Sequence, residues 1–473
     1  MTRLALAAAL VILLLPTTAS AFVPTDPLAA GQWYLAQDHA FDFWPELPVL
    51  APVKVAVFDS GIDVGHPEFA GRIVAQKSFV GGDVTDLDGH GTFVAGLIAA
   101  ALGNGEGIAG IAFPAQLVVA KVVRADGTIS PEGEAKAIRW AVDQGARVIN
   151  LSLGGVRDPL DRGRDTYSPA EESAIEYASG KGAVIVAAVG NGDQAPRTPW
   201  RFASYPAALP HVIGVSALTQ DGSVPSFSNR DPIYDDIGAP GEAILSTLPR
   251  AITAERPSCA DQGYSDCGPL EFKLAEGTSF AAPQVAAAAA LLLAVRPDLR
   301  PEQVSQLLYH SAVDVGAPGR DPLSGWGRLD IAAALQAATS GPLPPADSYE
   351  SNDDAGTLAP QLYGRSRDIA ATIDYWDDQV DVYRVKLRPG QAIFASLKGP
   401  AATDTNLVLW KPGTQRVEGL SVHIQANRAT QSAGAGPNEH ISYRARVGGW
   451  YYIEVKLATP GSGAYTLRYT KSP

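Results

Sequence analysis

The chain has 473 residues, 46% of them hydrophobic and 18% charged. That balance is globular, excludes disorder along the whole chain, and at roughly 100–200 residues per domain leaves room for more than one core. Fifty acidic side chains against 37 basic ones give a net charge of −13, which opposes attraction to nucleic acid or an anionic membrane, so neither is an expected partner.

The first 21 residues have the layout of an export signal. Arg3 supplies a positive start, Leu4 to Leu15 are apolar, Pro16 interrupts them, and Ala19-Ser20-Ala21 offers small residues at a cleavage point. The reading is a Sec-type signal peptide over residues 1–21, cut before Phe22, for a secreted or periplasmic protein. The apolar stretch is shorter than the roughly 20 residues of a spanning helix, so no stable membrane insertion is expected once it is removed. An oxidising compartment lets Cys259 and Cys267, with seven residues between them, close into a disulfide. A metal site there would need more soft ligands than two.

From about residue 53 the pattern alternates between strand and helix. Val53 to Phe58, Leu117 to Val123, Val148 to Leu151, Ala183 to Val189 and Val212 to Val215 are short and nearly all apolar, as strands buried on both faces of a parallel sheet are. Helical patterns lie between them over Thr92 to Ala101, Glu132 to Asp143 and Ala170 to Ala178, the last opening after Ser168-Pro169. This alternation predicts an α/β fold with a doubly wound, mostly parallel sheet. Polar residues just past strand C-termini converge in such sheets, which singles out Asp59 and Gly190-Asn191.

Residues 340–346, rich in glycine and proline, read as a linker. Beyond them Val380 to Leu387, Ala392 to Leu397, Trp450 to Val455 and Ala464 to Tyr469 alternate with period two, which predicts a small antiparallel β-sandwich over 347–473. The α/β unit would then span 22–339.

Three segments carry chemistry: Asp59-Ser-Gly-Ile-Asp63, His90-Gly-Thr-Phe-Val-Ala-Gly96 and Gly277-Thr-Ser279-Phe-Ala-Ala-Pro283. Each is weak alone, since a turn, a structural histidine or a helix start would explain it. Together an acid ending a strand, a histidine opening a helix and a serine opening an apolar helix supply one proton-transfer chain. With Leu151-Ser-Leu-Gly-Gly155 and Ala187-Ala-Val-Gly-Asn191 added, residues 26–340 resemble a subtilisin-type serine protease, a subtilase.

That resemblance implies a serine-type endopeptidase acting on protein or peptide through an acyl-enzyme on Ser279. His90 would be the base, Asp59 its orienting carboxylate, and Asn191 an oxyanion donor. Ser152, Leu153, Gly154, Ala188 and Val189 would bind substrate, and the small walls Ala187, Ala188 and Val189 suggest cleavage after apolar residues. Pro283 would sit in the first turn of the serine's helix. Phe93 and Phe280 depart from the family's usual histidine and methionine, and they touch packing rather than proton transfer. The short stretch between Phe22 and Asp59 suggests that the family's separate propeptide is absent.

No cofactor is needed for this chemistry. Structural calcium, common in the family, stays open at Glu68 and the loop Gly103 to Gly107, where simple turns are the plainer reading. Asp347 to Asp353, with Asp381-Val-Tyr-Arg-Val, resembles a bacterial pre-peptidase C-terminal domain, which is sometimes removed on maturation. A monomer is expected. The alternative is a catalytically inactive subtilase-like binding protein that uses the C-terminal sandwich; an esterase is a weaker third.

Overall fold

The structure is a computed structural model that describes residues 21–193, 195–251, 271–340, 348–349, 352–356, 359–375, 378–417 and 425–473. Its centre is a seven-stranded parallel sheet in the order β2-β3-β1-β4-β5-β6-β7. The strands are β1 (Val53–Asp59), β2 (Ile73–Ser78), β3 (Ala115–Lys121), β4 (Val148–Leu151), β5 (Val184–Ala188), β6 (Val212–Leu218) and β7 (Ile237–Pro240). The apolar runs are explained by two covered faces. Val55, Val57, Val184 and Val186 join one core, while Ala56, Phe58, Ile185 and Ala187 alternate into the other.

Helices α2 (His90–Ala99) and α5 (Thr278–Val295) share the first core. The second holds α3 (Pro131–Asp143) and α4 (Pro169–Gly180). Both α3 and α4 start one residue before the expected ranges, on a serine cap and a proline at the first helical position: Ser130 accepts from the Gly133 N–H and Ser168 from the Glu171 N–H. The short α1 (Trp33–Gln37) precedes the sheet, and α6 (Pro301–Ser311) and α7 (Ile331–Ser340) follow α5. By length and composition α5 could cross a membrane, but 89% of it is buried, which makes it the central helix of a folded core.

Strands with no apolar run escaped the sequence pattern. β2 is exposed at Val74, Gln76 and Lys77 and buried at no position because it forms the sheet edge, and β8 (Ile244–Thr247) with β9 (Phe272–Ala275) forms a separate antiparallel pair. In the C-terminal region a five-stranded sheet, β10-β12-β17-β14-β15, faces a four-stranded one, β11-β18-β13-β16. The ranges are β10 (Gln361–Leu362), β11 (Ser366–Asp374), β12 (Val380–Leu387), β13 (Ala392–Lys398), β14 (Thr405–Trp410), β15 (Arg428–Ser432), β16 (Asn438–Arg444), β17 (Gly449–Leu457) and β18 (Ser462–Lys471). All pairings are antiparallel except β10 with β12. Ile369, Tyr383, Ile393, Leu407, Ile453 and Leu467, from both sheets, fill one shared core.

Candidate active site

Strand β1 delivers Asp59, buried at 2% exposure, to the C-terminal edge of the sheet. His90, the first residue of α2, places Nδ1 2.8 Å from one oxygen of Asp59 and 2.9 Å from the other. An ionised carboxylate only accepts, so Nδ1 carries the hydrogen, and the lone pair of a neutral ring is left on Nε2. Close approach depends on Gly91: a Cβ there would stand 2.2 Å from the Gly61 carbonyl oxygen. The helix start is held by Asp86, which the sequence reading missed. Its carboxylate accepts from the N–H groups of Gly89 and Thr92 and from the hydroxyls of Ser60 and Thr92, at 2.7–2.9 Å. An acid shortly before a helix was the available signal, because it meets unpaired N–H groups and the positive end of the helix dipole.

Ser279 is the second residue of α5. Its Oγ donates to the Ser152 carbonyl at 3.1 Å, and the Ser152 hydroxyl donates to the Ser279 carbonyl at 2.7 Å. Pro283 explains the second bond. It is the sixth residue of α5, one turn deeper than expected, and its missing N–H leaves the carbonyl four residues back, that of Ser279, without a helical partner. Ser152 fills the vacancy and is itself held by the Asn150 side-chain amide at 2.9 Å. The helix bearing the serine is thereby tied to the segment after β4.

Asn191 follows β5 and meets the start of α5. Its Oδ1 accepts from the Thr278 N–H at 2.9 Å and from the Thr278 hydroxyl at 2.8 Å. A backbone N–H can only donate, so the oxygen faces Thr278 and the Nδ2 donors point elsewhere. Among the described residues Nδ2 has no hydrogen-bond acceptor. The Ser279 N–H lies in the first turn of α5, where amides lack intrahelical acceptors. Thr278, which orients Asn191, was a second residue the sequence reading missed.

A cavity of about 150 Å³ opens beside Ser279. Leu153, Gly154, Ala188 and Asn191 line it, as do Asp193 and Trp200. Ala187 and Val189 do not: both are fully buried in the core facing α3 and α4, because alternation along β5 turns them away from Ala188. The expected wall of Ala187, Ala188 and Val189 is therefore corrected: of the three Ala188 alone lines the cavity, and the acidic residue Asp193 lines it as well.

Phe93 and Phe280, the two departures from the family pattern, touch each other. Their ring centroids are 4.5 Å apart, and Phe280 also lies 5.3 Å from the ring of His90. Glu68 is buried, and the donors on it are the N–H groups of Ala101 and Ile108 and the side-chain amide of Asn104, at 2.9–3.1 Å. Burial pushes its carboxyl up to about 7 against those donors. A hard cation at Glu68 would need oxygens in place of these three donors. Among the described residues no three His, Cys, Asp or Glu side chains gather as metal ligands. Cys259 and Cys267 lie outside the described residues, as do residues 1–20 of the signal segment and 341–346 of the linker.

The model of the subtilase family matches residues 51–327. Thermitase from Thermoactinomyces vulgaris is 34% identical over 57% of this chain and 85% of its own length. Fervidolysin from Fervidobacterium pennivorans is also 34% identical, over 62% of this chain but only 41% of its own length. The crystal structure of a lanthipeptide protease superposes with a TM-score of 0.56 at 26% identity, covering 67% of this chain and 99% of that one. With the family's model spanning more than half of it, the chain belongs to the subtilase family, whose members are serine-type endopeptidases.

Proposed function

We propose that the protein is an exported serine endopeptidase that cleaves peptide bonds through an acyl-enzyme on Ser279. The observation that carries the reading is the double approach of His90 Nδ1 to the carboxylate of Asp59, which fixes the tautomer a base needs. Rotation about the Cα–Cβ bond of Ser279 would turn its hydroxyl from the Ser152 carbonyl toward His90 Nε2. The Oγ–H proton then passes to Nε2 as Oγ bonds to the scissile carbonyl carbon. Asn191 Nδ2 and the Ser279 N–H receive the negative oxygen, and the helix dipole of α5 favours it. Collapse returns the proton from Nε2 to the departing amine, and water repeats the sequence to release the acid.

Leu153 and Gly154 would pair with the substrate backbone as an added strand, and Ala188 would line the side-chain cavity. Export rests on the layout of residues 1–21. The C-terminal region would be a sandwich of the pre-peptidase C-terminal type. The test is labelling of the purified protein with a fluorophosphonate. An adduct on Ser279 that disappears in His90→Ala is expected; a folded sample that stays unlabelled would favour the inactive binding protein instead.

A further inference from the structure

The segment after β14 crosses from the C-terminal sandwich to the parallel-sheet unit and buries Arg416 there at 7% exposure. Its Nη2 donates to the Ala208 carbonyl at 2.6 Å and to the Tyr234 hydroxyl at 2.9 Å. The guanidinium faces the rings of Tyr234, Tyr167 and Tyr205 at 5.5, 5.9 and 6.0 Å. The carboxylates of Glu172 and Asp354 lie 3.7 and 3.9 Å from Nε. A buried guanidinium is tolerated only with hydrogen bonds and opposite charge on it, and here all of these partners except Asp354 belong to the parallel-sheet unit.

Two of these partners lead to the substrate cavity. Tyr205 exchanges both backbone hydrogen bonds with Gly155, each 2.9 Å long, and its neighbour Ser204 lines the cavity. Gly154 packs so closely that a Cβ on it would stand 2.4 Å from the Tyr205 carbonyl oxygen, so displacement of this wall is felt directly along the edge that would hold substrate. The second route runs through Tyr234. Its ring carries the Arg157 guanidinium at 4.8 Å, and the Arg157 carbonyl accepts from Trp200 Nε1 at 3.0 Å. Trp200 is another lining residue. Nearby, His211 and Asp353 pair at 2.9 Å across the same boundary.

We propose that Arg416 is a positioning residue of the substrate cavity, through which the C-terminal sandwich holds the wall of Ser204, Tyr205 and Trp200 against the edge from Leu153 to Val156. The inference rests on the peptidase reading. It makes the sandwich a working part of the cleft rather than a separable appendage. Arg416 touches neither the serine nor the histidine, so its removal acts on the fit of the side chain before the scissile bond and leaves the proton transfers intact.

The experiment compares the full chain with Arg416→Gln and Arg416→Lys on two peptide series, one with phenylalanine and one with glycine before the scissile bond. In Arg416→Gln, KM for the phenylalanine series should rise about tenfold while kcat and the glycine series change less than about twofold, and Arg416→Lys should recover part of the loss. The rate of Ser279 labelling by a small fluorophosphonate should be unchanged. Tyr234→Phe removes one acceptor of Arg416 with little risk to folding and should shift KM in the same direction. Equal losses in both series, or none in variants that fold, would overturn the proposal. Absence of labelling in the unsubstituted protein would instead overturn the peptidase reading on which it rests.

Discussion

His90 sits where two effects on its charge compete. Burial disfavours the imidazolium, but attraction and hydrogen bonding to Asp59, with Asp88 and Asp86 behind it, outweigh that and push its pKa up to about 9. A general base must be neutral, so kcat/KM should climb from about pH 6 and level off only above about 9. In Asp59→Asn the rising limb of whatever activity remains should fall toward the ordinary histidine value near 6.5. An unmoved limb would show that another group titrates. The same shift stabilises the fold fully below about 6.5, and that contribution is lost as pH rises through about 9. For Asn191→Ala, kcat should drop by about 10²–10³ with a smaller change in KM. That magnitude is borrowed from the corresponding donor of a related subtilisin. An effect confined to KM would remove Asn191 from the transition state. Asp59, His90, Ser279 and Asn191 could be singled out from the sequence because each stands in a short ordered motif. Asp86 and Thr278 were not, since what marks them is a set of hydrogen bonds rather than a pattern.

Pro283 and Ser152 join two elements that the sequence keeps 131 positions apart. A proline inside α5 opens one carbonyl, and the segment following β4 supplies the hydroxyl that closes it. Ser152→Ala removes that donor, leaving the Ser279 carbonyl and the Asn150 amide without partners. Stability should fall by about 1–3 kcal/mol. The urea midpoint measures this, and kcat should fall with it as the start of α5 loosens. A midpoint unchanged from the parent would show that water replaces the hydroxyl at no cost. Buried strands and capped helices were readable from apolar runs and Ser-Pro starts, whereas β2, β7 and the β8–β9 pair were hidden, being edge or very short strands. Which way β5 turns its side chains was likewise unreadable from one apolar run: Ala188 faces the cavity while Val189 goes into the core.

Across the whole molecule the scarcity of oxidisable sulfur becomes a property of the proposed enzyme. Met1 is the single methionine, and it would leave with the signal segment. The position after Ser279, where many subtilisins carry methionine, holds Phe280, packed on Phe93 and His90. Peroxide at millimolar order should therefore leave peptidase activity largely intact over a time that inactivates a methionine-bearing relative. Residual activity after quenching, with the two enzymes treated side by side, measures it. Equal rates of loss would show that another residue, such as a tryptophan, controls inactivation.

The sequence by itself determined the fold class and singled out the candidate residues, because two-faced burial forces apolar strands and because Asp59, His90 and Ser279 each stand at a recognisable element boundary. Only the tertiary structure decided which groups meet: Asp86 under the start of α2, the Phe93–Phe280 pair, Asp193 in the cavity, and Arg416 brought by the C-terminal sandwich to the wall beside it. Local patterns report which face of an element is buried. They carry no record of what a distant element packs against it, since that contact is fixed by chain topology and by the satisfaction of buried polar groups across the whole core.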